Sequence, residues 1–403
     1  MPLPPGFAAL DFDEYHRRTL PALLAQGRDQ LAAEAATRLT SLAFRLGDGR
    51  AFTYRAGSGR IDVLPGDASA ATVLEIALDD WRGLVHELEA PAGLVYAGRV
   101  RAVQGSAVDL MAWESALRAM YTGRPVYRPE RIELRARDGH PLDPSASFTL
   151  GFDRDELAHF LATTGYLFVR DVFRADEVDA MRAEALALRA EARRGDKLSW
   201  WGRNAAGEEI LCRVTRGVTK PQLATLVTEP RLRALADLAD EPLVYKKGEG
   251  EGVTVIYKQP EMGEGLSDLP WHRDCGMGGH AMICPTLLIS VYLSEATPES
   301  GELVMLPGSH RTTLNAHDAG VDPAAHAAHF AARPGDVSVH YGDTVHAAPP
   351  PTVPHRDQYR ISAVISFAKQ GARNHRGGGS YNDALHQRDD GQIEHLDAVA
   401  KRL

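Results

Sequence analysis

Trp271-His272-Arg273-Asp274-Cys275-Gly276, followed by an apolar run and then Pro307-Gly308-Ser309-His310, is the stretch on which the reading of this chain turns. Side chains alternate faces along an extended strand, so His272 and Asp274 leave the same face and can reach one metal ion. Alone, a His-x-Asp pair is weak evidence and reads more readily as a turn with a structural histidine. The sequence downstream adds a partner, His346, at the end of Gly335-Asp336-Val337-Ser338-Val339-His340-Tyr341-Gly342-Asp343-Thr344-Val345-His346.

Beyond it, Tyr359-Arg360-Ile361-Ser362-Ala363-Val364-Ile365-Ser366-Phe367 reads as a buried strand with an arginine at its start. Two histidines and one carboxylate on one side of a metal, with the opposite positions open, form the facial triad of non-heme Fe(II) oxygenases. Arg360 offers a planar fork that can hold a carboxylate by two hydrogen bonds. Together these residues suggest an iron site with an acid cosubstrate.

With these pieces in place, the chain resembles the phytanoyl-CoA dioxygenase group of Fe(II)/2-oxoglutarate oxygenases over roughly Phe152 to Phe367. The resemblance rests on their order: Gly165-Tyr166-Leu167-Phe168-Val169-Arg170-Asp171-Val172-Phe173, Lys258-Gln259-Pro260, Trp271-His272-Arg273-Asp274, Ser300-Gly301-Glu302-Leu303, Pro307-Gly308-Ser309-His310, Gly335-Asp336, His346 and Arg360. It implies a double-stranded β-helix, or jelly roll, that uses iron, 2-oxoglutarate and O2. The implied iron ligands are His272, Asp274 and His346. Arg360 is the implied partner of the distal 2-oxoglutarate carboxylate, with Arg356 as competitor, because the loop from Ala347 to Tyr359 is longer than the family pattern. Thr254 and Ser290 fall where family members place smaller cosubstrate contacts, though both also read as ordinary strand hydroxyls. Asp274 fills the position that is small in halogenating relatives, so hydroxylation, desaturation or ring closure is expected. Two departures stand near the metal: Arg273 replaces a neutral polar residue, and Ala348 stands where a serine often helps bind the oxoacid.

The 403 residues are enough for two or three domains, and 44% hydrophobic with 25% charged residues is ordinary for a soluble globular protein. A net charge of -9 gives no sign of nucleic-acid binding as a general role. Cys212, Cys275 and Cys284 form no CxxC pattern, which points to a reducing compartment. Without a signal-like N-terminus or a long apolar run, the expected location is cytoplasmic, with no membrane span.

Ahead of the oxygenase pattern, residues 12 to 40 have helical spacing with a kink expected at Pro21. Short strands over 42–46, 51–56 and 60–64 read as antiparallel hairpins, and 72–78 alternates like another strand. A helix led by Asp79-Asp80, a strand at 98–105 and a closing helix at 109–121 follow. This order resembles the sterol carrier protein type 2 fold, an α+β lipid-binding module. The expected architecture is therefore α+β, with a sterol-carrier-like domain at 1–123, a linker at 124–147 and the jelly roll at 148–403. The first domain could present a lipid-like substrate, join copies of the chain, or serve as a plain scaffold.

Further on, helices are expected at 153–163, 175–194 (closed by Gly195) and 222–238, with strands dominating from 243 to 367. The substrate is expected to be a small molecule, lipid-like or linked to CoA or another carrier. Trp200, Trp201, Arg213, Arg216, Lys220 and Tyr257 could line the mouth, and Arg213, Arg216 and Lys220 could meet CoA phosphates; packing and surface roles explain them equally. His310 reads as structural or cleft-edge, and His326 with His329 forms an HxxH pair without an obvious further ligand. His340 is expected to lie about 20 Å from His346 along one extended strand, too far to share its ion. Two other readings use the same residues: a lipid-binding protein with a vestigial barrel, and a zinc-dependent hydrolase.

Overall fold

In the computed structural model, residues 6–204, 206–245, 252–259, 262–264, 269–277, 286–314, 321–349, 351–352 and 360–369 are described. The N-terminal part is helical from Phe12 to Ala36, with widened turns at Tyr15–Thr19 and Leu24–Arg28. Pro21 sits in the first turn of its helical piece and is tolerated there. The break falls instead at Gly27, whose φ of 91° leaves the helical region.

Five strands come next: β1 (Leu42–Arg45), β2 (Ala51–Gly57), β3 (Arg60–Pro65), β4 (Thr72–Ile76) and β5 (Val100–Gln104). They form one sheet in the order β3-β2-β1-β4-β5. The expected hairpins hold for β1 to β3, and the further strand β4 pairs parallel with β1, since the chain crosses over to reach that edge. Helices Leu78–Val85, Pro91–Tyr96, Val108–Ala112 and Glu114–Thr122 complete the module. The closing helix is thus two helices that meet at Trp113, whose Nε1 donates to Thr40 O.

Rings fill this module. Phe12, Tyr15 and His16 pack around the fully buried Trp81, and His16 stacks on Phe52 at 4.3 Å. A Phe or Trp held this way contributes about 2 kcal/mol or more from area alone. His16 Nδ1 lies 2.6 Å from Phe12 O and Nε2 lies 2.7 Å from Tyr54 Oη, which in turn meets Tyr121 Oη at 2.8 Å.

Residues 124–147, expected as linker, are partly built into the larger, C-terminal part of the chain. Val126 bridges to Thr313, and the buried Tyr127 packs with Leu306, Leu314, Val345, Ile132 and Trp271. The segment at 131–137 forms no strand; it opens with a short turn and makes one bridge, Arg135 to Pro141.

That larger part holds β6 (Phe148–Thr149), β7 (Tyr166–Arg170), β8 (Ser199–Asn204), β9 (Glu209–Val214), β10 (Leu243–Tyr245), β11 (Thr254–Lys258), β12 (Met262–Glu264), β13 (Leu269–His272), β14 (Thr286–Tyr292), β15 (Val304–Met305), β16 (Ala328–His329), β17 (Val337–Tyr341), β18 (His346–Ala348) and β19 (Arg360–Lys369). Ten strands make a large sheet along the path β12-β8-β9-β11-β19-β14-β17-β7-β6, with β10 also on β19. A small sheet runs β13-β18-β15-β16.

Asp153 caps helix Arg154–Thr164 by accepting from Asp155 N and Glu156 N. Helix Ala175–Glu191 stops before the expected Gly195, and Pro230 divides the expected 222–238 helix into Pro221–Thr225 and Pro230–Ala236. These helices cover one face of the large sheet, where Tyr257 Oη reaches Ala185 O on helix Ala175–Glu191 and Val255, Ile289, Val291, Val339, Ala363 and Ile365 are buried. Strand alternation turns Thr254, Ile256, Lys258, Ser290, Ser338, His340, Arg360, Ser362 and Val364 to the opposite face, toward the small sheet. Thr254, Ile256, Leu288, Val364 and Ser366 stay half-buried on that face, so the space between the sheets is an accessible cleft. Among the described residues, no helix is long and apolar enough to cross a membrane.

Burial pushes the His16 pKa down from 6.5 to about 4, only partly opposed by the Phe12 carbonyl and Asp13. Between those values the unfolded chain takes up a proton that the folded chain refuses, so stability falls as pH drops from 6.5 toward 4. Over that window the loss from this group approaches about 3 kcal/mol. In urea titrations at pH 7 and 4.5, His16→Gln should lose less stability on acidification than the parent, and equal losses would contradict the assignment.

Candidate metal centre

β13 and β18 are neighbours in the small sheet, and their register sets His272 opposite His346. The two imidazole centroids lie 4.2 Å apart. β13 ends at His272, so Asp274 is not on the same strand as expected; it sits in the turn that enters the short helix Cys275–Met277. The pair still converges, with His272 Nε2 3.5 Å from Asp274 Oδ1 and His346 Nε2 3.8 Å from Asp274 Oδ2. One ligand atom from each of His272, Asp274 and His346 lies within 4.8 Å of the others, the one such group among the described residues.

Protonation suits metal binding. His346 Nδ1 lies 2.9 Å from Thr344 O, which can only accept, so Nδ1 carries the proton and Nε2 keeps its lone pair. Burial, with His272 close by, pushes the His346 pKa down to about 3, which keeps the ring neutral. Burial would raise Asp274, but His346, His272 and His340 outweigh it and hold the carboxyl well below its usual range. Two imidazoles and one carboxylate are the donor set that Fe(II) takes.

His340 overturns its expected distance. The chain turns between Tyr341 and His346, with Thr344 N bonding Tyr341 O, so β17 joins the large sheet and β18 the small one. Across the cleft the two rings come to 4.5 Å, and His340 Nε2 lies 3.3 Å from Asp274 Oδ2. A proton on that nitrogen lets His340 orient the metal-binding carboxylate. Ser338 and His340 share the alternation of an inward face, and Gly342-Asp343 is a turn signal; read together, those two cues would have found it.

Arg360 opens β19 beside Lys258, both buried on the inward face. Arg360 Nη1 donates to Gly301 O, while Nε is buried without a partner among the described residues. Burial lowers its pKa, and nearby Tyr292 and Glu302 oppose that shift. A buried cation with a spare donor fits an anionic oxoacid. Lys258 Nζ bonds Ala348 O, two residues beyond His346, so this cationic end lies against the strand that carries His346. In the sequence, Lys258 stands in Lys258-Gln259-Pro260 without an evident role, although its alternation with Thr254 and Ile256 puts it on the same face.

Thr254 and Ser290 flank Val364 in one row across the large sheet, and neither hydroxyl has a hydrogen-bond partner among the described residues. Arg356, most of its loop and Cys284 lie outside the described residues. Trp200 and Arg213 face inward in register with Ile256, with the guanidinium 4.5 Å from the indole centroid. The other expected mouth residues point elsewhere: Lys220 pairs with Glu191 at 2.5 Å, Arg216 approaches Asp196 at 3.9 Å, and Tyr257 faces the helices. That leaves no three-cation cluster of Arg213, Arg216 and Lys220 for CoA phosphates. His310 stacks on Tyr341, and His329 bonds Glu302, so neither joins a metal group.

Residues 161–358 match the family described as phytanoyl-CoA dioxygenase (PhyH). An ectoine dioxygenase of Sphingopyxis alaskensis is 31% identical over 178 residues, covering 42% of this chain and 51% of that protein. The chain therefore spans about half the length of the curated relative it matches. The crystal structure of AviO1 from Streptomyces viridochromogenes Tue57 aligns over 56% of this chain and 98% of its own, with 24% identity and a TM-score of 0.44. EctD from S. alaskensis, in a structure with 2-oxoglutarate and 5-hydroxyectoine, aligns over 62% and 88%, with 22% identity and a TM-score of 0.45.

In anaerobic Fe(II) titrations, Asp274→Ala should lose high-affinity binding while far-UV circular dichroism keeps the strand signal. His340→Phe should bind Fe(II) roughly tenfold more weakly than the parent, as losses of ligand-orienting partners do. Parent-like affinity in His340→Phe would show that its contact with Asp274 is idle.

Proposed function

This chain belongs, through residues 161–358, to the phytanoyl-CoA dioxygenase family, and from that footing we propose that it is an Fe(II)/2-oxoglutarate-dependent oxygenase acting on a small molecule. The observation that carries the reading is the meeting of His272, Asp274 and His346 in the same cleft as the spare donor of Arg360. In this reading the three residues hold Fe(II) on one side and leave its other positions open. Arg360, with Lys258 alongside, holds the distal carboxylate of 2-oxoglutarate, and Thr254 and Ser290 offer hydroxyls on the same wall. When bound, iron and 2-oxoglutarate with O2 supply the oxidising power to break a substrate C–H bond, as the oxoacid becomes succinate and CO2.

Ile256, Leu288 and Val364 give the cleft apolar walls, while Arg213 stacked on Trp200 adds a cation on the same face. That supports a mostly apolar substrate with a polar end. Hydroxylation, desaturation and ring closure all begin with the same C–H cleavage. A zinc hydrolase on the same ligands would leave the inward Arg360 without a task. For residues 1–123, the ring-filled interior supports a scaffold, with the sheet and helices as its frame, over a lipid-carrying slot.

Succinate release from 2-oxoglutarate, dependent on Fe(II) and O2, tests the reading, and its absence in parent protein would sink it. Arg360→Ala should raise the 2-oxoglutarate concentration for half-maximal rate roughly ten- to hundredfold, the loss expected for a charge-assisted contact of about 1.5 to 3 kcal/mol. An unchanged requirement would move the oxoacid to another cation.

A further inference from the structure

The two arms that carry the metal-binding residues are clamped by one carboxylate that belongs to neither ligand set. Asp343 lies in the turn between β17, with His340, and β18, with His346. Arg273, between His272 and Asp274, donates through Nη1 to Asp343 Oδ1 at 3.1 Å, to Asp343 O at 2.9 Å and to Ser309 O at 3.3 Å. A backbone bond from Cys275 N to Gly342 O, 3.0 Å, runs beside it.

The other half of the clamp comes from the N-terminal module. Arg118, 4% exposed on helix Glu114–Thr122, donates to Asp343 Oδ1 at 3.3 Å and Oδ2 at 3.1 Å. Its Nε donates at 2.6 Å to Glu87, itself buried, and Arg124 reaches Asp343 at 3.3 Å and Glu87 at 3.6 Å. Arg273 is buried and Asp343 is only 13% exposed, so the two depend on each other and on Arg118 for compensation.

We propose that Arg118 is a positioning residue of the metal centre, through which the N-terminal module fixes the His272–Asp274 arm against the His346 arm by way of Asp343 and Arg273. The proposal rests on the iron-binding reading above. It makes residues 1–123 part of the working site, whatever else they bind. Arg273, the departure from the family pattern between two ligands, then has a reason: it is the barrel's side of a clamp whose other side is Arg118.

The test uses the full chain, with Fe(II) affinity measured anaerobically and stability measured separately in urea. Arg118→Gln and Asp343→Asn should each weaken Fe(II) binding roughly 10- to 100-fold, the range for residues that orient ligands. The double variant should be no weaker than the worse single, because both remove one coupled contact. Glu87→Gln, which touches Arg118 and Arg124 but no ligand arm, should weaken binding less. If Arg118→Gln does not fold, Arg118→Lys, which keeps the charge but loses the fork, is titrated instead and should still bind Fe(II) more weakly. A folded Arg118 variant with parent affinity, or single effects that multiply in the double variant, would overturn the proposal even if the parent binds Fe(II). Failure of the parent itself to bind Fe(II) would overturn the iron reading and this proposal together.

Discussion

Three guanidiniums, from Arg118, Arg124 and Arg273, meet on the Asp343 carboxylate, and the geometry of the metal centre hangs from that point. A carboxylate taken out of water needs compensation by charge and hydrogen bonds. Burial alone would raise the Asp343 pKa, yet Arg118, Arg273 and Arg124 outweigh it and keep the group ionised. Because the three cations come from the N-terminal module, the connecting segment and the metal-bearing turn, satisfying one charge fixes three parts of the chain together.

The large sheet performs two tasks on its two faces. One face is closed by helices and carries Val, Ile, Ala and Tyr side chains at or near full burial, which supplies the hydrophobic stabilisation of this part. The other face keeps a gap to the small sheet, bounded by polar and half-buried side chains. Leaving that face incompletely packed forfeits stabilisation, and what it retains is a cleft holding His272, Asp274, His346 and Arg360. Lys258 to Ala348 O ties the large sheet to the small one at one end of it, and Arg360 to Gly301 O ties it to the turn ahead of β15.

Electrostatics sort the buried groups into those already paired and those with capacity to spare. Arg118 is matched by Glu87 and Asp343, whereas Arg360 Nε and Glu302 Oε2 are buried without partners among the described residues. An unpartnered buried donor is costly unless something fills it; Arg360 carries one on the cleft-facing side of the large sheet, whereas Arg273, which also has spare nitrogens, is turned to Asp343, so Arg360 reads as a binding group and Arg118 as a support.

The sequence by itself singled out the His272, Asp274 and His346 group, the sidedness of Arg360 and the strand-rich character after residue 243. Those features are written in local order and in period-two alternation, which survive whatever the strands pair with. Tertiary structure decided the rest. His340 looks remote when one extended strand is assumed, and only the turn at Gly342-Asp343 folds it back onto Asp274. Gly27 breaks the first helix while Pro21 does not, because the widened turn before Pro21 and its place at a helix start remove the clash. The parallel pairing of β1 with β4 depends on a crossover that strand patterns do not record. Most of all, Arg118 and Asp343 lie 225 residues apart, and no local pattern links them. Their bond exists because packing buries both charges at one interface, where each needs the other.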